Sequence, residues 1–264
     1  MARAVGAVNI TWDMLAWVLA MGVYTGAQNF MAGGGTFIIF PVLLLLGLDP
    51  VTASMTAAMG LFPNQISSAH VSRPHAMGLG SLSLRVLSVV SLAGGCVGAL
   101  LLVVTPSSFF SRLVPWLVLF ATAVFAWGSM ARTSPLLPTG ASDSGLSRAG
   151  GRRLLGVQFL IAVYGGYFAA GIGFLMLAAL TVSGQPPRAA IATKNVLIVV
   201  ITSASFTIFA IAARVVWPVA IALAIGALAG SFLGAWLIQR VPNRWLKGYV
   251  VVLGSVLSLW LFLR

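Results

Sequence analysis

Gln28-Asn29-Phe30-Met31-Ala32-Gly33-Gly34-Gly35-Thr36 sits inside an apolar run that extends over residues 14–47. That run is too long for one straight crossing of a bilayer, which takes about 20 residues. Three successive glycines break a helix, because ordering each costs more backbone entropy than any other residue. A break at membrane depth is tolerated only where protein or water satisfies the freed N–H and C=O groups. The stretch therefore predicts either a hairpin with its tip in the membrane or one long interrupted helix.

The rest of the chain places this element in an integral membrane protein. Of 264 residues, 60% are hydrophobic and 7% charged, and the mean hydropathy is +1.06. A soluble domain of this size has no interior large enough for that apolar surface. The net charge of +12 comes from arginines scattered singly in short connections, a membrane-orientation signal rather than a nucleic-acid surface. The single cysteine, Cys96, forms no internal disulfide.

The chain repeats itself. Residues 92–102 read LAGGCVGALLL and residues 228–238 read LAGSFLGAWLI, an offset of 136. An offset of 137 aligns Gly34 with Gly171, Phe37 with Phe174, Gly47 with Gly184, Pro50 with Pro187 and Thr56 with Thr193. Internal repeats of this kind are typical of secondary transporters. Four apolar blocks are expected in each copy: 14–47, 52–71, 82–104 and 113–131, then 154–182, 189–211, 215–238 and 246–263. The first membrane repeat is thus 1–131 and the second 154–264, joined by a polar Ser/Gly/Pro/Arg-rich loop over 132–153.

Charge placement bears on the hairpin. If the long block of each copy returns to its own side, one face of the membrane collects Arg73, Arg85, Arg132, Arg148, Arg152, Arg153, Arg188, Arg240, Arg244 and Lys247, and the other Arg3, Arg112, Arg214 and Arg264. That split of 10 to 4 follows the positive-inside tendency slightly better than the 9 to 5 of single crossings. The copies are then inverted, the loop is cytoplasmic and the termini external.

Lys194 is the one cation well inside an apolar stretch, about two helical turns (~9 Å) past the expected membrane edge at Arg188. No Glu occurs, and Asp13, Asp49 and Asp143 fall outside the spans or at their rims. A buried ammonium without a carboxylate makes sense where something anionic visits it. Alternatively Lys194 snorkels to the interface. Thr193 and Asn195 extend the polar cluster. Gly33, Gly34, Gly35 and Thr36, with Gly171 and Gly173 in the second copy, fit an anion site of helix N-termini and backbone N–H groups, or simply tight bends. Gln28, Asn29, Asn64 and Tyr167 are further candidates for the site. Gln65, Ser67, Ser68 and His70 follow Asn64 along the second block, where interhelical hydrogen bonding is the plainer reading.

No paired carboxylate, nucleophile–base pair or metal-ligand set is present, so an enzyme is disfavoured and neither cofactor nor metal is expected. His70 and His75 have no Cys or carboxylate near them in sequence.

Gly33-Gly34-Gly35-Thr36-Phe37-Ile38-Ile39-Phe40-Pro41, followed by Gly47-Leu48-Asp49-Pro50 and Ala53, resembles the first-copy signature of the sulfite exporter TauE/SafE family of permeases. Gly171-Ile172-Gly173 and Ala192-Thr193-Lys194-Asn195 resemble its second. The resemblance covers essentially the whole chain. It implies a bacterial inner-membrane permease for sulfur-containing anions such as sulfite, thiosulfate or sulfoacetate. One departure is Ala178 where the first copy has Pro41, so the two hairpins need not be equivalent.

The expectation is an all-α, polytopic membrane permease of two tandem, inverted repeats, each a glycine-broken hairpin plus three spanning helices. Its partners are a small anion and the lipid bilayer, with no nucleic acid, and transport proceeds by rocking of the halves. An uptake permease for other organic anions and a non-transporting membrane scaffold are the alternatives.

Overall fold

The computed structural model describes residues 10–31, 34–80, 82–130, 148–212 and 214–237, with single positions beyond. These residues form nine α-helices: α1 (Trp12–Met31), α2 (Thr36–Leu45), α3 (Pro50–Ser72), α4 (Leu84–Val104), α5 (Ser107–Met130), α6 (Arg148–Tyr167), α7 (Ile172–Val182), α8 (Pro187–Ile211) and α9 (Trp217–Leu237). The protein is all-helical, and an isolated bridge between Leu79 and Leu82 is the only extended pairing among the described residues. Among the described residues, four stretches are long and apolar enough to cross a membrane: Leu84–Val104, Ser107–Val124, Arg188–Ile211 and Trp217–Gly234. Helix α3 has 23 residues, enough length for a crossing, but its second half carries Asn64, Gln65, Ser67, Ser68 and His70.

Two boundaries differ from the sequence reading. Helix α6 begins at Arg148, so Arg148, Arg152 and Arg153 ride on its first turns instead of lying in the loop. Helix α5 begins at Ser107, ahead of the apolar block, because the Pro106 carbonyl accepts from the N–H groups of Phe109 and Phe110 and Arg112 stays exposed. The rest of the loop, 132–147, and nearly all of the block at 246–263 lie outside the described residues.

Glycine contacts give the helix directions. On α1, Leu19, Val23 and Ala27 meet Gly226, Gly230 and Gly234 of α9 in that order, so α1 and α9 run parallel. On α3, Thr56, Gly60 and Asn64 meet Val216, Leu223 and Ala227, so α3 runs parallel to both. Helix α2 must then lead the chain back between α1 and α3, which makes the first block a hairpin. In the same way Ser91, Gly94 and Gly98 of α4 meet Gln158, Ala162 and Val163 of α6. Helices α3 and α8 are antiparallel: Phe62 stacks on Phe206 with centroids 4.7 Å apart, and Ser72 bonds Asn195.

Equivalent positions of the two copies adopt equivalent backbones. Gly34 and Gly171 have φ of +77° and +78°, and Gly47 and Gly184 have +89° and +85°. The latter pair ends α2 and α7 in matching Schellman motifs: Gly47 and Leu48 donate to Leu44 and Leu43, and Gly184 and Gln185 to Thr181 and Leu180. Asp49 then caps α3, accepting from the N–H groups of Val51 and Thr52.

The packing is interlaced. Helix α1 packs on α9, and α6 packs on α4, so each copy lends a helix to the other. Two buried clusters result. One joins α1, α2, α3 and α9 around Phe40, Met55 and Leu223; the other joins the start of α4 to α6, α7 and α8 around Leu87, Met176 and Ile201.

Candidate substrate site at the paired glycine breaks

The two breaks meet. Phe37, in the first turn of α2, lies over Gly171, and Phe174, in the first turn of α7, lies over Gly34. The two rings stack with centroids 6.2 Å apart and planes 13° from parallel. A Cβ on Gly34 would come 2.6 Å from the Phe174 ring, and one on Gly171 would come 2.7 Å from the Phe37 ring. Glycine is thus required here twice over, for the left-handed turn and for the facing ring.

Beside this crossing lies a cavity of about 30 Å³, lined from both copies. The first copy contributes Asn29, Gly34, Thr36, Gln65 and Ser68; the second contributes Ala169, Ile172, Gly173, Lys194, Asn195 and Ile198. Thr36 and Gly173 stand in the first turns of α2 and α7, so both helices begin at the cavity. Helix N-termini carry partial positive charge and favour anions. Ala169, at the second break, holds φ of +59°, an uncommon conformation for a residue with a Cβ.

Lys194 is 7% exposed. Neither described aspartate lines the cavity: Asp49 accepts from Ser107 Oγ at 2.7 Å, and Asp13 belongs to the first turn of α1. Among the described residues no group of three metal-ligating side chains occurs.

Of the residues expected at the site, Asn29, Gly34, Thr36, Gly173, Lys194 and Asn195 line the cavity. Gly35 donates its N–H to Asn29 Oδ1 at 3.4 Å, orienting that side chain. Gly171 caps α7, and Gly33 lies outside the described residues. Four others are not part of this lining. Asn64 Nδ2 donates to the carbonyls of Gly26 at 3.3 Å and Ala227 at 3.1 Å, tying α3 to α1 and α9. The Thr193 hydroxyl holds the loop before α4 by accepting from Met77 N–H at 3.1 Å and meeting the Met77 carbonyl at 3.0 Å. Tyr167 reaches Thr105 and packs on Phe110. Gln28 is buried on α1 with neither amide atom hydrogen-bonded. Gln65 and Ser68 belong to the cavity although sequence reasoning placed them only along α3; Ala169, Ile172 and Ile198 carry no chemical signal to find them by.

The description "Sulfite exporter TauE/SafE" matches residues 18–261. The chain belongs to the TauE/SafE family. Its relatives include a probable membrane transporter protein of Haemophilus influenzae, 25% identical over 254 residues and covering 95% of each chain. The probable membrane transporter protein ORF9 of a Sinorhizobium species is 23% identical over 95% of this chain and 93% of its own. The probable membrane transporter protein YfcA of Escherichia coli K12 is 22% identical over 93% of this chain and 88% of its own. No solved structure matches. This TauE/SafE chain is a multi-pass membrane transporter.

Proposed function

We propose that this transporter carries small sulfur-containing oxoanions, such as sulfite, thiosulfate and sulfoacetate, through the cavity at the paired breaks. The observation that carries the reading is Lys194, an ammonium only 7% exposed in a cavity lined by no carboxylate. Such a charge is costly in an apolar setting until an anion neutralises it. In this reading Lys194 supplies the charge, the Asn29 and Asn195 amides supply neutral donors, and Thr36 adds a hydroxyl, while Ser68 gives its hydroxyl proton to the Asn64 carbonyl. The first turns of α2 and α7 add their dipoles. Gly34 and Gly173 line the cavity without side chains to fill it, and Gly35 holds the Asn29 side chain. A cavity of about 30 Å³ has space for about two water molecules, which suits a small ion.

The two copies act as an inverted pair of the inner membrane, with the connecting loop cytoplasmic and the termini external. Support comes from the antiparallel α3 and α8 and from the matched glycines. Because α1 packs on α9 and α4 on α6, the bodies that rock are not the sequence halves. They are the interlaced groups α1–α3–α9 and α4–α6–α8, with the cavity at their seam. Export of an anion from a negative interior is favourable by about 2.3 kcal/mol per charge per 100 mV, so outward flux needs no coupled ion.

The test is flux from proteoliposomes loaded in turn with sulfite, sulfate, thiosulfate, sulfoacetate or taurine. Efflux of a sulfur oxoanion that vanishes in Lys194→Met supports the reading; unchanged efflux in that variant removes it.

A further inference from the structure

The seam between α3 and α8 is closed on both sides of the cavity, by unlike means. Gln65 and Ser68 of α3 and Lys194, Asn195 and Ile198 of α8 line the cavity there. Toward one end Phe62 stacks on Phe206 with centroids 4.7 Å apart. Toward the other, Asn195 Nδ2 donates to Ser72 Oγ at 2.8 Å, one helical turn beyond Ser68. An apolar stack shuts the first end and a polar bond the second.

The polar end continues into a strap, residues 72–78. Beyond Ser72 the chain passes through a single 3-10 turn, Arg73–His75. It is anchored again at Leu79, 5% exposed, which exchanges backbone bonds with Leu82 at 2.8 and 3.0 Å. Between these points side chains of the second copy hold it. Met77 N–H donates to Thr193 Oγ1 at 3.1 Å, and Thr193 Oγ1 donates to the Met77 carbonyl at 3.0 Å. Gln185 Nε2 reaches the Met77 carbonyl at 3.1 Å, the Gly78 carbonyl at 2.9 Å and Thr193 Oγ1 at 3.3 Å. Thr193 and Gln185 are buried, whereas Arg73, His75 and Met77 of the strap are exposed. Thr193, Lys194 and Asn195 are consecutive, so two of the fastening residues flank the ammonium of the cavity.

Seating a loop of this kind takes less. At the offset of 137 Thr193 corresponds to Thr56, and Thr56 Oγ1 accepts from Val216 N–H at 3.2 Å in the loop before α9. That loop is the counterpart of the strap, at the opposite end of the antiparallel pair. There Leu48 stands in place of Gln185 and Ala58 in place of Asn195. The threonine is common to both loops; the two amides are additions on the strap side.

We propose that the strap is a gate over the cavity, latched by Thr193, Gln185 and Asn195, and that solute passes beneath it at the end of the seam that carries Arg73, Arg85 and Arg188. The strap is the covalent link from α3 to α4, and its fastenings lie on the α8 side. Parting α3 from α8 at this end therefore stretches the strap against its latches. Water takes over such hydrogen bonds when the strap lifts, so each is worth a modest net amount and opening is reversible. Arg85 and Arg188 stand in the first turns of α4 and α8 and are exposed like Arg73. Together they raise the local concentration of anions at the mouth. The gate requires only the cavity; that the solute is an anion rests on the reading above.

The experiment uses the full-length chain in sealed vesicles of each orientation, with Cys96→Ala to remove the native thiol and Ser68→Cys as a reporter in the cavity wall. Modification by a small membrane-impermeant maleimide is timed with no oxoanion present. Gln185→Leu, which copies Leu48 of the other loop, should speed modification about tenfold, the factor that a lost hydrogen bond or two is worth. Thr193→Val should act in the same direction. Gln158→Leu, which breaks a buried bond to Ser91 away from the strap, should leave the rate unchanged. The reagent should reach Ser68→Cys from the face on which it reaches Arg85→Cys. An unchanged rate in both latch variants, equal acceleration in Gln158→Leu, or access from the opposite face overturns the proposal. If the latch variants fail to fold, hydrogen exchange of the Met77 amide in the unaltered chain decides. Exchange well ahead of the α8 amides is expected, and exchange no faster than theirs refutes the gate. Protection of Ser68→Cys by sulfite tests the anion site separately. Latch-dependent labelling without protection strikes the anion reading alone, and protection with latch-independent labelling strikes the gate alone.

Discussion

Replacing Lys194 by Met separates a working charge from a structural one. The side chain is 7% exposed and sits in the second turn of α8 beside Gly34, Ile172 and Ile198. Exchanging a buried charge for an apolar side chain of similar length is neutral or stabilising by about 1–4 kcal/mol. For a chain of this size each kcal/mol moves the melting temperature by about 2–4 °C. Lys194→Met is therefore expected to melt as high as wild type or several degrees higher when no anion is present. Ligand acts in the opposite sense: at 100 times its dissociation constant an anion adds about 2.7 kcal/mol to wild type and nothing to the variant. The gap should close or reverse as sulfite or thiosulfate is titrated in, while flux in proteoliposomes is lost throughout. Thermal melting with and without anion, on the same preparation used for flux, reads both effects. A variant that melts well below wild type without anion would mean the ammonium is a structural contact. A variant that keeps the anion-dependent rise would mean the anion binds elsewhere. Either result refutes the reasoning.

Four further outcomes are expected. Gly34→Ala should destabilise by more than Gly47→Ala in thermal melting: both take positive φ, at about 1–2 kcal/mol, but a Cβ on Gly47 meets nothing within 4 Å whereas one on Gly34 meets Phe174. Asn64→Leu should lower stability by about 1–3 kcal/mol through loss of its bonds to Gly26 and Ala227, and protease accessibility of α1 should rise with it. Thr193→Val should cost a similar amount by freeing Met77, yet leave the anion's dissociation constant unchanged in a binding titration. Ala169→Gly, at φ of +59°, should stabilise the chain by about 1 kcal/mol, seen as a small rise in melting temperature.

The break at Gly33-Gly34-Gly35 was readable because it is a backbone property, and backbone constraints are written in residue type. Lys194 was readable for a similar reason: a cation in an apolar helix, in a chain with no Glu, leaves few explanations. The faces of the helices were harder. Asn64 and Gln65 are neighbours, yet one bonds α1 and α9 while the other lines the cavity, because a step of one residue turns about 100° around the helix. Which side faces what is decided by the close approach of α1 to α9, and nothing local to α3 records it. Tyr167 stands beside a glycine pair and looked like a lining residue, but the contact of Gly166 with Gly95 turns its ring toward Phe110. The interlocking of Phe37 with Phe174 depends on both copies being in place and has no trace in either stretch alone.

The exchange of helices between the copies also governs how the chain is built. Helix α1 leaves the ribosome well before the surface it packs against, α9, which begins only at Trp217. Until then its glycine-bearing side at Gly22 and Gly26 lacks the α9 backbone it packs against, although Asn64 of α3 reaches the Gly26 carbonyl. A chain stopped after α8 would keep α4 seated on α6 and leave α1 a loose pin, so late truncations should be cleared by membrane proteases starting from the amino-terminal end. Two fragments divided between α5 and α6 would each be incomplete, yet when synthesised together they hold all the mating surfaces described and should reassemble.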